Sequence, residues 1–241
     1  MKEKLDKERV NKKTYLLIGN SRLHWAFQNQ NQWDFLDTSI KQGFTEYINT
    51  SLLAWAEVGK RPKNIYLDPK KKLNIEEIPL LNVPSWLGID RALAGWGAFK
   101  KAKELSIIHT NGLLIADAGT VLSITRISKK GEFIGGQLIA GLNLQLKAMA
   151  QCTNNLSYPS RKDLNGETFP KATEDAMLRG SFQSLIGAIQ EAKKDTSAPL
   201  FICGGDSLDI FNKLKISYDD IYHCPNLVLE GMINVKHNEL T

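Results

Sequence analysis

The feature that most constrains this chain is a pattern that occurs twice: an apolar run, a glycine turn, and a second run rich in apolar residues. The first copy turns at Gly19 and the second at Gly119. Both copies predict a β-hairpin, because glycine and asparagine favour the tight turn that joins two antiparallel strands. A hairpin repeated in this way, each time followed by further strands and helices, predicts two similar α/β lobes with a cleft between them.

The predicted elements follow a similar order in the two halves of the chain. In the first half we expect strands over 13–19, 22–28 and 33–36, a helix over 44–58, a strand over 64–68 and a helix over 90–105. In the second half we expect strands over 113–117, 121–127 and 132–139, helices over 143–151 and 173–194, a strand over 199–203, a helix ending near 214, a strand over 220–223 and a helix over 227–235. The predicted organisation is a polar tail over 1–12, a first lobe over 13–109 and a second lobe over 110–241.

Composition indicates an ordinary globular protein. The chain has 241 residues, of which 42% are hydrophobic and 24% are charged, which suits one large core or two smaller ones. No apolar run approaches the roughly 18 residues of a membrane span, and the first residues lack the apolar core of a secretory signal. The three widely spaced cysteines indicate buried free thiols, which predicts a cytoplasmic protein.

The net charge of +5 does not predict a nucleic-acid partner, because the basic residues are spread along the chain without a recognition motif. A mildly basic surface suits an anionic small substrate such as a nucleotide. The sequence also contains no Walker A loop, no dinucleotide fingerprint, and no His or Cys cluster at the spacing of metal ligands.

The second hairpin carries Asp117, Gly119 and Thr120 at its turn. Backbone N–H groups at such a glycine turn bind phosphate oxygens, and a carboxylate beside them binds a cation. The alternative is an aspartate that only caps the turn of the hairpin. When the two hairpins are aligned on their glycines, Leu17 stands at the position of Asp117.

A second candidate is Asp90, followed by Arg91, at the predicted start of a helix. An aspartate there accepts a proton from a substrate hydroxyl, and the arginine binds an oxyanion, as phosphoryl transfer to an alcohol requires. The alternative interpretation of Asp90 is a plain helix N-cap.

Other polar and glycine positions allow two interpretations each. Gly135, Gly136 and Gly141 bracket a strand, which indicates close approach either by a ligand or by another strand. The glycines at 204 and 205 followed by Asp206 are either a nucleotide site at a helix N-terminus or a simple turn from strand to helix. His24 points either into the cleft or to solvent.

Taken together, these motifs resemble those of type III pantothenate kinases. The resemblance rests on five short motifs in order, which are Asp117 with Gly119 and Thr120, Gly88 with Asp90 and Arg91, the glycines at 135, 136 and 141, Thr173 to Ala176 with Gly180, and the glycines at 204 and 205. It extends from about residue 14 to residue 235. The resemblance implies the fold of the acetate and sugar kinase, Hsp70 and actin superfamily, an α/β fold of two ribonuclease-H-like lobes with mixed sheets.

The resemblance also implies a function and a set of site residues. Such enzymes phosphorylate pantothenate to 4'-phosphopantothenate with ATP, the first step of coenzyme A synthesis, as cytoplasmic homodimers that need Mg²⁺ or another divalent ion and K⁺ or NH₄⁺. By resemblance, Asp90 is the proton acceptor and Asp117 binds the monovalent cation. The implied pantothenate-binding residues are Gly88, Ile89, Asp90, Arg91 and Thr173. The implied ATP-binding residues are Gly19, Asn20, Ser21, Arg22, His24 and Thr120.

The sequence departs from the family pattern at a few positions. Leu17 replaces an aspartate that the family associates with metal and phosphate, Thr125 replaces another aspartate, and Ala140 replaces a proline. The aromatic residue that flanks the pantothenate site has Trp86 as its nearest counterpart. Because Leu17 offers no ligand to a metal, two alternatives stay open beside the kinase. One is a catalytically impaired nucleotide-binding or regulatory protein, and the other is a superfamily kinase or phosphatase with a different acceptor.

Overall fold

The computed structural model describes residues 13–47, 51–61, 63, 65–107, 110–160, 164 and 166–237. The chain forms two compact units. One unit comprises the chain up to Leu105 together with the segment from Asn226 onward, and the other comprises 106–225. The predicted tail over 1–12 lies outside the described residues.

Each unit contains one mixed sheet, and the two sheets follow the same plan. The strands are β1 (Lys13–Ile18), β2 (Leu23–Asn29), β3 (Gln32–Thr38), β4 (Ser51–Glu57), β5 (Leu113–Ala118), β6 (Val121–Ile127), β7 (Phe133–Ala140), β8 (Leu200–Cys203) and β9 (Ile221–His223). The first sheet has the order β3-β2-β1-β4 and the second the order β7-β6-β5-β8-β9. In each sheet a central strand, β1 or β5, pairs antiparallel with its hairpin partner and parallel with a later strand. The mixed sheets and the repeated hairpin are confirmed.

Six helices are described along the chain: α1 (Ile40–Tyr47), α2 (Ile89–Glu104), α3 (Leu142–Cys152), α4 (Thr173–Thr196), α5 (Ser207–Leu214) and α6 (Leu227–His237). Short 3₁₀ turns cover Pro69–Lys71 and Ile75–Glu77. Within these described segments, no helix is both long and apolar enough to cross a lipid bilayer. Cys152, Cys203 and Cys224 are free, as predicted, although Cys152 is exposed rather than buried.

The cores of the two units differ in composition. In the first unit, the aromatic rings of Trp25, Phe27 and Tyr47 pack together at centroid distances between 5.4 and 6.0 Å. In the second unit, helix α4 buries an apolar stripe against the sheet. The stripe consists of Leu178, Phe182, Leu185 and Ile189, at the spacing of one helix face.

Helix α6 belongs to the first unit, whereas the predicted lobe boundary assigned residues up to 241 to the second lobe. It packs on α2, where a Cβ atom on Gly231 would lie 2.1 Å from the carbonyl oxygen of Leu93 and one on Gly97 would lie 2.5 Å from that of Leu227. Glycine at the crossing lets the helix backbones approach closely, and an ion pair of 2.8 Å between Lys101 and Glu230 lies beside it. The contact joins residues about 130 positions apart in the chain, which local sequence patterns do not report.

The predicted helix over 44–58 is wrong. Helix α1 ends at Tyr47 and the chain then forms β4 over Ser51–Glu57, parallel to β1. The predicted strand over 64–68 is also wrong, because residues 65–68 are irregular. The continuous apolar run from Leu52 to Ala56 is typical of a strand buried on both faces, and parallel pairing with β1 prevails over the apparent helical spacing.

Candidate functional site

Leu17 and Asp117 occupy equivalent positions in the two sheets. Each is the fifth residue of its central strand and stands two residues before the turn glycine. Leu17 is 5% exposed, whereas Asp117 is half-buried. The sequence difference between the two hairpins, leucine at 17 and aspartate at 117, therefore lies at one equivalent position of the two sheets.

The Leu17 row is the set of three residues that lie opposite one another across the first sheet. Leu17 lies opposite His24 on β2, and His24 lies opposite Asp37 on β3. Directly opposed residues project from the same face of a sheet. The first sheet therefore carries a carboxylate in the same row as Leu17, but two strands away.

The Asp117 row of the second sheet has the reverse arrangement. Asp117 on the central strand lies opposite Ser123, and Ser123 lies opposite Leu138 on the outer strand. Ser123 is buried and Leu138 is 63% exposed. The carboxylate is thus central in the second row, and the leucine is outermost.

The turn of the first hairpin is closed by a hydrogen bond of 2.9 Å from the Gly19 N–H to the Arg22 carbonyl oxygen. Asn20, Ser21 and Arg22 are exposed. The Nη1 atom of Arg22 lies 3.9 Å from the Oδ2 atom of Asp37. The turn therefore presents an exposed backbone segment with a cationic side chain, and arginine is suited to binding phosphate.

His24 lies against this turn. Its Nδ1 atom is 2.7 Å from the Oδ1 atom of Asp37, and its Nε2 atom lies 3.0 Å from the position that a Cβ atom on Gly19 would take. Burial raises the pKa of Asp37, but the hydrogen bond and charge of His24, with the charge of Arg22, more than offset this and leave that pKa below its usual value. Asp37 is therefore an ionised acceptor for His24.

The second turn is enclosed by two glycines that come from elsewhere in the second unit. A Cβ atom on Gly204 would lie 2.5 Å from the Oδ1 atom of Asp117 and 2.6 Å from the carbonyl oxygen of Ala118. Gly141 donates its N–H to the Thr120 carbonyl oxygen at 3.0 Å, and a Cβ atom there would lie 2.2 Å from the Gly119 carbonyl oxygen. The close approach at Gly141 is therefore made by backbone. Thr120 itself is exposed at the turn.

The glycines at 204 and 205 form the turn from β8 to α5. Asp206 is the N-cap residue of α5, and its N–H donates to the Ala118 carbonyl oxygen at 3.0 Å. No atom lies within 4 Å of a Cβ atom built on Gly205 or Gly135. The N-terminus of α5 thus lies at the end of the central strand, close to Asp117.

Asp90 lies at the start of α2. Gly88 is the N-cap residue and Ile89 the first helical residue, so Asp90 is not itself the N-cap. Its Oδ1 atom accepts a hydrogen bond of 2.8 Å from the Arg91 N–H. Burial raises the pKa of Asp90, and the hydrogen bonds and the Arg91 charge only partly counteract this. A partly buried carboxylate with a raised pKa is a stronger proton acceptor than an exposed one.

Thr173, another predicted pantothenate-binding residue, lies on a different helix from Asp90. Thr173 is the first residue of α4 and is exposed. Glu174 beside it accepts hydrogen bonds from the N–H and the hydroxyl of Ser160 at 2.9 and 3.0 Å.

Two positions at which the sequence departs from the family pattern differ in burial. Trp86, the nearest counterpart of the family aromatic, is 75% exposed. Thr125, which replaces a family aspartate, is buried within its sheet at 1% exposure.

The donor atoms near Asp117 are oxygens, the type of ligand that hard cations take. The Oδ1 atom of Asp117 and the Ala118 carbonyl oxygen both lie so close to Gly204 that a Cβ atom there would overlap them, and the Ala118 oxygen also accepts from the Asp206 N–H. Within the described part of the chain, no group of three or more His, Cys, Asp and Glu side chains is placed to hold a metal ion. A divalent ion here would therefore depend on phosphate and water for most of its ligands.

Comparison with known proteins decides the family. The sequence model of the family described as type III pantothenate kinase matches residues 68–195, more than half of the chain. This chain belongs to the type III pantothenate kinase family. A type III pantothenate kinase from Synechococcus elongatus is 28% identical over 94% of this chain and 97% of its own length. The predicted family is thus confirmed, and the matched span contains Asp90, Asp117 and Thr173.

Solved structures support the fold. A protein assigned to the Baf family of transcriptional activators, from Campylobacter jejuni, superposes with a TM-score of 0.61 at 21% identity, covering 95% of this chain and 100% of its own. A protein assigned as a 2-dehydro-3-deoxygalactonokinase, from Sinorhizobium meliloti, gives 0.57 at 12% identity, covering 93% and 96%. The predicted α/β fold of the sugar kinase and actin-like ATPase type is confirmed for this pantothenate kinase family member.

Two functional features were missed by sequence reasoning. Asp37 was not selected, although counting back from the β2–β3 turn pairs it with His24. Gly59, which directly follows the predicted helix over 44–58, was not selected either, whereas a Cβ atom there would lie 2.1 Å from the Gly19 carbonyl oxygen. Gly59 follows β4, the strand mistaken for a helix, so its contact with the first turn had no signal in the predicted elements.

Proposed function

We propose that this protein phosphorylates pantothenate with ATP to give 4'-phosphopantothenate, in the first step of coenzyme A synthesis. The family match over 68–195 carries this proposal. It favours a kinase over an impaired nucleotide-binding or regulatory protein, and it favours pantothenate over a different acceptor.

Asp90 is the proposed proton acceptor. Its raised pKa makes it a better acceptor for the proton of the primary hydroxyl than an exposed aspartate would be. Arg91, Gly88, Ile89 and Thr173 are the other proposed pantothenate contacts. Most of the catalysis in phosphoryl transfer comes from positioning and charge neutralisation, so the acid–base contribution of Asp90 is one part of the rate enhancement.

The two glycine turns are the proposed phosphate sites. We assign ATP contacts to the Gly19, Asn20 and Ser21 turn, to Arg22 and His24 beside it, and to Thr120. A monovalent cation, K⁺ or NH₄⁺, at Asp117 and Mg²⁺ on the phosphates would supply positive charge against the nucleotide. We also propose a cytoplasmic homodimer, on the family resemblance.

The test is ADP release by the purified protein with ATP, Mg²⁺ and K⁺, with and without pantothenate. We expect release that depends on pantothenate and falls by roughly 10²- to 10⁴-fold in Asp90→Asn, the range for loss of a general base. Asp209→Asn is the matched control, since Asp209 is an exposed aspartate in the first turn of α5. Release that ignores pantothenate would assign another acceptor, and nucleotide binding without release would assign a non-catalytic protein.

The same variant has a distinct signature in stability. A carboxyl group whose pKa is raised by folding stabilises the protein only while it is protonated, so that contribution is lost as pH rises through the folded pKa. At neutral pH the ionised Asp90 is a cost to folding. We expect Asp90→Asn to melt at or above the wild-type temperature at about pH 7, with the difference shrinking toward about pH 4. A lower melting temperature at neutral pH would show that Asp90 is a structural residue.

A further inference from the structure

The Leu17 row contains a carboxylate, Asp37, to which the family resemblance assigns no role. It lies on β3, the outer strand, with its side chain 44% exposed. An exposed ion pair contributes little to stability. The contacts of Asp37 with His24 and Arg22 therefore matter mainly because they fix the positions of these two side chains.

The geometry of the row decides which atom of His24 faces the turn. Asp37 is ionised and has no proton to give, so the Nδ1–H of His24 donates to it at 2.7 Å. The Nε2 atom is then the ring nitrogen left toward Gly19, 3.0 Å from the Cβ position there.

Arg22 is held by the same carboxylate. Its Nη1 atom lies 3.9 Å from the Oδ2 atom of Asp37, while the other carboxylate oxygen accepts from His24. One carboxylate thus contacts two basic side chains beside the exposed turn, by a hydrogen bond with His24 and an ion pair with Arg22. Without Asp37, the long Arg22 side chain and the His24 ring would lose this common partner, and ordering them on a ligand would cost conformational entropy.

We propose that Asp37 is a positioning residue for ATP, holding the basic side chains of His24 and Arg22 at the Gly19 turn, beside phosphate, where Leu17 offers no metal ligand. The proposal rests on the proposed function for the identity of the nucleotide. Asp37 thus differs from Asp117, the proposed cation ligand, because it positions basic side chains.

Asp37→Asn tests the proposal, with Asp34→Asn as its matched control. Asp34 is an exposed aspartate on the same strand, and it accepts from Asn29 at 3.1 Å. We expect Asp37→Asn to raise the KM for ATP roughly ten-fold, the loss of one charge-assisted hydrogen bond, with kcat and the KM for pantothenate unchanged. A change in both KM values together, or no change in either, would overturn the proposal.

Calorimetry with ATP in the presence of a chelator separates positioning from metal binding. If Asp37 acts through His24 and Arg22, the Kd for ATP rises roughly ten-fold in Asp37→Asn without Mg²⁺ as well as with it. A rise seen only with Mg²⁺ would make Asp37 a metal ligand and overturn the proposal. This measurement also stands if the wild type shows no turnover with pantothenate, so the two proposals can fail separately.

A double-mutant comparison tests the route through His24. The KM for ATP should rise in His24→Ala, and adding Asp37→Asn to that variant should raise it by less than the same change does in the wild type, because only the Arg22 contact remains to lose. Full additivity would show that Asp37 acts independently of His24 and would contradict the proposal.

Discussion

In the Leu17 row the carboxylate stands on the outer strand, and in the Asp117 row it stands on the central strand. The backbone plan is the same in both sheets, including the parallel neighbour and the glycine turn. The chemistry differs, since Asp37 contacts two basic side chains whereas the Oδ1 atom of Asp117 packs beside the Ala118 carbonyl oxygen against Gly204. The shared backbone plan therefore places both rows beside a glycine turn, but it does not determine which strand of the row carries the carboxylate.

The glycines behind the two turns differ in the same sense. Gly59 approaches only backbone of the first turn, whereas Gly204 approaches both the Ala118 carbonyl oxygen and the Asp117 side chain. Gly204 also has a φ of +90°, which side chains other than glycine rarely adopt. The second turn is thus the more tightly specified of the two.

The largest predicted effect concerns these glycines. Gly204→Ala should destabilise the second unit by roughly 3 to 4 kcal/mol, combining overpacking with left-handed backbone strain. Gly59→Ala should cost about 1 to 3 kcal/mol, from overpacking alone. Denaturant melts followed by circular dichroism measure both, and Gly205→Ala, where a Cβ atom meets no neighbour, is the control. Equal costs at 59 and 204 would remove the distinction between the turns.

The next prediction concerns the mismatched central position. Leu17→Asp should destabilise the protein by at least about 2 kcal/mol, because it removes a leucine side chain that is only 5% exposed and places a carboxylate in its position. If the basic side chains already neutralise the phosphates, kcat should not rise. Leu17→Asn is the control for the lost apolar packing, because asparagine is similar in size to aspartate but uncharged. A large rise in kcat specific to Leu17→Asp would show that the first row lacks a ligand it needs.

The smallest predicted effect is a loss of stability at acid pH that comes from Asp37 in the Leu17 row. The pKa of Asp37 lies below its usual value of 3.8, so its stabilising contribution is present above that value and is lost as pH falls through the folded pKa. The free energy of unfolding of the wild type should exceed that of Asp37→Asn by less than about 1 kcal/mol at neutral pH, and this gap should close as pH falls below 3.8. Melting curves across that range measure it, and added salt should also narrow the gap. A gap that persists at low pH would show that the ion pair is not its source.

Much of this fold could be predicted because its strongest signals are local. The two hairpins, the start of α2 and the long helix α4 all follow from glycine turns and apolar spacing. Strand β4 could not be recognised in this way, since a continuous apolar run is read as helix or strand only once its pairing with β1 is known.

The candidate site was predictable to a similar extent. Asp90 and Asp117 stand in short motifs, which sequence inspection detects directly. Asp37 has no motif, and it becomes visible only through its register with His24 across two strands. The position of α6 in the first unit depends in the same way on a contact distant in sequence.

The packing of α6 on α2 and β1 has a consequence for biosynthesis. The segment 106–225 is continuous, so it can complete its core while the chain is still being made. The first hairpin leaves the ribosome earlier, yet the face of β1 and α2 that receives α6 stays uncovered until residues 227–237 emerge. Domains that need a late segment finish folding after those that do not. The unit whose first strands are synthesised first is therefore completed last. Until then, the face of β1 and α2 that α6 covers is open to other contacts.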